Sequence, residues 1–128
     1  MNYNKEEIST KFERGKYLLD RAYYDEAIVI FTELIDVTDP LKDDNEDALL
    51  TWNVSLNNRG VAKCKSAYNS GNKELFEDGL NDYRTTVNHE KDQTHRDRMT
   101  ASGNLRFGEK QLEDFDKKNT ANFRFEWL

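Results

Sequence analysis

A single proline, Pro40, in a chain of 128 residues is the feature that most narrows what this sequence can fold into. Proline breaks helix interiors and collects in turns and sheet edges, so a chain almost without it is free to run in long helices. Apolar spacing uses that freedom: five stretches carry a helical period, and none sustains the alternation of a strand. The second stretch is the clearest. Tyr24, Ala27, Ile28, Phe31, Leu34 and Ile35 share one face, with Asp25, Glu26, Glu33 and Asp36 opposite. The first starts at Asn4, an N-cap with Glu7 three residues on, and carries Ile8, Phe12, Gly15, Leu18, Leu19 and Ala22. The third carries Leu49, Trp52, Leu56, Gly60, Val61, Cys64 and Ala67. After the turn Asn69-Ser70-Gly71-Asn72, the fourth is capped by Asn72 and lined by Phe76, Gly79, Leu80, Tyr83 and Val87. Ala101, Leu105, Gly108, Leu112 and Phe115 mark the fifth. The acidic segment Asp36 to Asp47 reads as a solvated loop leading into the third helix. Short links within the first and second helix pairs force antiparallel neighbours. The expectation is an all-α fold of antiparallel hairpins over residues 1–118, followed by an aromatic tail, 119–128.

Charge and length exclude several classes. The chain holds 19 Lys and Arg against 25 Asp and Glu, a net charge of -6, so no basic stripe is available to neutralise phosphates and no nucleic-acid partner is expected. The longest apolar run, Ala27 to Phe31, is far short of the ~20 residues that span a bilayer, so no membrane association is expected. Met1 to Glu7 lacks the apolar core of a signal peptide. A lone Cys64 cannot close an internal disulfide and fits a reducing compartment, so the chain reads as cytoplasmic.

An internal repeat is also present. Gly15 is followed by Tyr24, Ala27 and Phe31 at offsets of 9, 12 and 16. Leu56 and Gly60, then Phe76, Gly79 and Tyr83, repeat the pattern with seven residues inserted between the helices, and Met99 and Gly103 suit a closing helix. Over about residues 5–117 the chain resembles the tetratricopeptide-repeat (TPR) family, in a divergent form longer than the usual ~34-residue repeat. The resemblance implies about two repeats plus a closing helix, with a concave groove formed by the first helix of each hairpin. Phe12, Glu13, Lys16 and Leu19 would line it from the first helix, and Asn57, Asn58, Val61 and Lys65 from the third. Asparagine amides suit the backbone of an extended peptide, and lysines suit its acidic groups. The grip by which one family subset holds a chaperone's carboxylate is not reproduced: only Asn58 fits, and Asp97 and Ala101 fall where its last basic pair belongs.

Constellations that could carry chemistry are sparse. Arg84 and His89 have the R-x4-H spacing of the HEPN ribonucleases, in which the Arg stabilises phosphate charge and the His shuttles a proton. His89, Glu90, Asp92 and His95 do not fall at metal-site spacings, and Asp43, Asn45 and Asp47 begin a calcium loop that Ala48 and Val54 break. No catalytic residue, metal or cofactor is expected. The tail sets Phe123, Phe125, Trp127 and Leu128 among the last six positions, so these residues pack on the chain's own helices, on a second copy, giving a homo-oligomer, or on a partner. The expected function is non-catalytic binding of a protein or peptide in the groove. The alternatives are a small HEPN-like ribonuclease using Arg84 and His89, and an immunity- or antitoxin-type inhibitor whose acidic surface meets a basic toxin.

Overall fold

The computed structural model describes residues 3–89, 95–115 and 126–128, apart from the side chains of 95–99 and 114. Among the described residues five α-helices follow one another: α1 (Lys5–Asp20), α2 (Tyr24–Thr38), α3 (Glu46–Ser70), α4 (Lys73–Asn88) and α5 (His95–Asp114). Among the described residues there is no strand, and the fold is an all-α stack of helical hairpins.

Helix starts follow asparagine. The side chains of Asn4, Asn45 and Asn72 each accept the backbone N–H three residues on, at 3.2, 3.0 and 3.0 Å. Asn45 lies inside the segment read above as a solvated loop, and that reading is corrected here: the flanking helices claim both of its ends. α2 runs on through Asp36 to Thr38, whose buried hydroxyl donates back to the Leu34 carbonyl at 2.8 Å. Pro40 then sits in a single 3₁₀ turn, Asp39–Leu41, because it has no N–H with which to continue the helix. At the other hairpin, Gly71 takes φ +70° and closes α3, with Asn72 N–H donating to the Ala67 carbonyl at 2.9 Å.

Each helix packs chiefly on its neighbours in sequence, and α3 is the centre, lying between α2 and α4. Its burial therefore runs around the helix, from Leu49, Trp52 and Leu56 to Gly60, Val61, Cys64 and Ala67. The main core joins Phe31, Leu34, Val61, Phe76, Leu80 and Tyr83, with Phe115, just past α5, against Phe76 at a ring separation of 5.1 Å. A smaller cluster of Ile35, Leu49, Trp52 and Leu56 lies at the other end of α3. Close contacts form at Gly15, beneath the Phe31 ring, and where Gly60 meets Gly79 and Tyr83. Gly103 forms no such contact: a Cβ there would meet open space, so it does not do in α5 what Gly15 and Gly60 do in α1 and α3.

Cys64 is fully buried, and burial pushes its thiol pKa well above the ordinary value. Reactivity requires thiolate, so a thiol reagent at pH 8 should label Cys64 only as fast as the molecule opens globally. Labelling should speed up steeply with denaturant. Labelling of native protein at the rate of a free thiol would contradict this packing.

Candidate functional site

Three asparagine side chains on two helices form the most unusual polar feature of the molecule. Asn57 and Asn58 stand in the middle of α3, and Asn104 stands on α5; none is more than 3% exposed. A buried amide is costly unless its donors and acceptors are met, so three of them together call for partners. Asn104 Nδ2 donates to Asn57 Oδ1 at 3.0 Å, and Asn57 Nδ2 donates to Asn58 Oδ1 at 3.3 Å, which chains the three together.

What they hold is backbone. Asn104 grips Glu126 at both main-chain groups: its Oδ1 accepts the Glu126 N–H at 2.9 Å, and its Nδ2 donates to the Glu126 carbonyl at 2.6 Å. That carbonyl also accepts from Asn57 Nδ2 at 3.1 Å. One residue is then skipped, and Leu128 N–H donates to Asn58 Oδ1 at 2.6 Å. Bonding at 126 and 128 with 127 turned away is the alternation of an extended strand, here met by side-chain amides instead of a second strand. Two N–H donors converge on Asn58 Oδ1, which fixes the orientation of that amide.

Side chains of the held segment are less firmly engaged. The Trp127 ring receives Lys65 Nζ at 5.0 Å from its centroid, and the same ammonium lies 6.0 Å from the Tyr24 ring. Among the described residues no carboxylate pairs with Lys65, and its partial burial lowers its pKa. Leu128 is half-buried on the rim of a cleft of about 390 Å³ between α1 and α3, lined also by Tyr3, Phe12, Leu50 and Val54.

Of the groove residues named from sequence, Asn57, Asn58 and Lys65 meet residues 126–128, and Phe12 faces the cleft beside Leu128. Glu13 is exposed, and Lys16 lies over the Phe12 ring at 5.6 Å. Leu19 and Val61 do not line a groove, which corrects the expectation for both. Leu19 is four residues from Gly15 on the α1 face turned to α2, and Val61 follows Gly60 where α3 is covered by α4; both belong to the core. Trp127 and Leu128 lie on the chain's own helices, whereas Phe123 and Phe125 are outside the described residues.

Asn104 was missed from sequence, although a signal existed. Ala101, Asn104 and Gly108 recur at steps of three and four, so Asn104 sits on the buried stripe of α5, where a polar residue needs a reason. Arg84 and His89 answer to different neighbours. Arg84 donates to Asn81 Oδ1 at 2.8 Å and faces Glu109, while the His89 ring stands edge-on to Trp52 at 5.0 Å. Among the described residues no three His, Cys, Asp or Glu side chains converge as metal ligands would, and no helix is long and apolar enough to cross a membrane. No protein-family model matches the chain, and no curated protein or solved structure matches it.

Proposed function

We propose that this protein is a non-catalytic interaction module of divergent TPR-like build, working in the cytoplasm, that holds an extended segment of a protein or peptide partner. The single observation that carries the reading is the set of main-chain hydrogen bonds from Asn57, Asn58 and Asn104 to residues 126–128. Amide side chains that bond backbone N–H and C=O in alternation are a general peptide-reading device, because every sequence presents those groups. The stacking order supports the same reading. α1 and α3 line the cleft and α3 and α5 hold the backbone, so the odd-numbered helices share one face, as the first helices of repeated hairpins do.

Panning a random-peptide display library against the full chain tests this. Enrichment of peptides that bind wild type and lose binding to the Asn104→Ala protein, with helicity unchanged, is the expected result. Absence of enrichment, or enrichment indifferent to Asn104→Ala, would overturn it. RNA cleavage by the purified protein that disappears in His89→Ala would overturn the non-catalytic part.

A further inference from the structure

The segment 126–128 is held in a manner that suits a substitute better than a permanent strut. Its bonds run through backbone, which any extended chain offers. Its side chains anchor it weakly: Trp127 is 36% exposed, with a lysine over its ring, and Leu128 rests on a cleft rim. The fit is also incomplete. Asn58 Nδ2 is fully buried and has no hydrogen-bond partner among the described residues, so one donor of the cradle stays unmet while the segment is in place. A buried donor without an acceptor is a standing penalty that a better-matched occupant removes. The adjoining cleft, walled by Tyr3, Phe12, Leu50 and Val54, has room for more apolar volume than Leu128 supplies.

We propose that Glu126-Trp127-Leu128 is a tethered stand-in for the partner. The partner is an extended peptide with an aromatic residue at the Trp127 position and a larger apolar residue at the Leu128 position, and it must displace this chain's own segment to enter. This rests on the peptide-binding reading above and adds to it the occupant and its regulation. Tethering gives the segment an effective concentration of about millimolar, so one that binds in trans with a Kd of about 100 µM keeps the cradle closed about nine-tenths of the time. An incoming peptide then binds about tenfold more weakly than it would to an open cradle.

The test is a full-length Glu126→Pro/Leu128→Pro protein, in which proline removes the two N–H donors that Asn104 and Asn58 accept while the helices are untouched. A fluorescent synthetic peptide of residues 119–128 is the probe, read by anisotropy. Expected is binding at least about tenfold tighter to the proline variant than to wild type, an intermediate value for Leu128→Pro alone, and loss of binding when Asn104→Ala is added. Equal affinity for wild type and variant would overturn the stand-in while leaving peptide binding intact. So would failure of the probe on both proteins when library-selected peptides still bind. Failure of probe and library together would remove both readings. A wild-type dimer in light scattering that becomes monomeric in the proline variant would instead assign the segment to a second copy, and this proposal would fall.

Discussion

Replacing Asp82 by Ala should lower the unfolding free energy by about 3–5 kcal/mol, the largest single-side-chain loss expected outside the apolar core. Asp82 is 5% exposed on α4, and it is the acid of a cluster that ties three helices. Arg59 of α3 meets it with two parallel bonds, Nε to Oδ2 at 2.9 Å and Nη2 to Oδ1 at 2.8 Å. Lys63 Nζ lies 3.2 Å from Oδ2, and Arg59 Nη1 donates on to Thr32 Oγ1 of α2 at 3.3 Å. Burial alone would lower the Arg59 pKa, but the hydrogen bonds and charge of Asp82 outweigh it and raise the pKa, keeping the guanidinium charged. Without Asp82 two cations face each other across a largely dry site with no anion between them. An exposed pair would be worth about 1 kcal/mol or less, so the size of the loss itself decides whether the cluster acts as a buried one. Urea denaturation should show a lower midpoint at unchanged slope, and thermal melting a fall of about 10–20 °C. The triple change Arg59→Met/Lys63→Met/Asp82→Leu should recover much of the loss, since removing all three charges leaves no buried ion unpaired. A loss below about 1 kcal/mol for Asp82→Ala would show that the cluster is screened by water.

Asp82 and Asn104 share a lesson about what the sequence made visible. The all-α hairpin fold was legible because apolar period, asparagine caps and a lone proline all pointed the same way. Tyr24, Ala27, Phe31, Phe76, Leu80 and Tyr83 all line helix contacts, most of them in the core, as their spacing required. The polar residues that carry the more specific contacts were harder to see. Asn53, Asp82 and Asn104 each fall on a buried stripe beside apolar neighbours, and a period that scores only apolar residues passes over them. Asn57 and Asn58 were visible only through the family resemblance. Leu19 and Val61 were assigned to the groove because the resemblance numbers positions along a helix, whereas both are core residues, one turn from Gly15 and next to Gly60. That the tail packs on the chain's own helices was one of the readings open from sequence; which groups hold residues 126–128 was not legible. The docking depends on a contact between α5 and α3 far apart in sequence, and nothing local specifies such a contact.

Gly60→Ala and Gly79→Ala should each destabilise the protein by about 1–3 kcal/mol, although alanine is the better helix former. In an exposed helix interior the same change gains about 0.5–1 kcal/mol, so packing here must first cancel that gain. The two glycines face each other where α3 crosses α4. A Cβ on Gly60 would stand 2.9 Å from the Gly79 carbonyl oxygen and 2.5 Å from Tyr83 Cε1. A Cβ on Gly79 would stand 2.9 Å from the Gly60 carbonyl oxygen and 2.6 Å from Cys64 Sγ. A side chain can swing aside, but a helix carbonyl can move only if the whole helix moves, and Tyr83 is itself enclosed in the core. The helices must therefore separate, loosening the contacts of Val61, Cys64, Leu80 and Tyr83. The double substitution should cost less than the sum of the two, because the first methyl already opens the gap that the second needs. Gly103→Ala is the matched control. With open space around it, that change should stabilise by about 0.5–1 kcal/mol, so one substitution type is expected with opposite signs at two places in one molecule. Calorimetric melting of the four variants beside wild type measures all of this, and a stabilised Gly79→Ala would mean that α3 and α4 do not meet backbone to backbone.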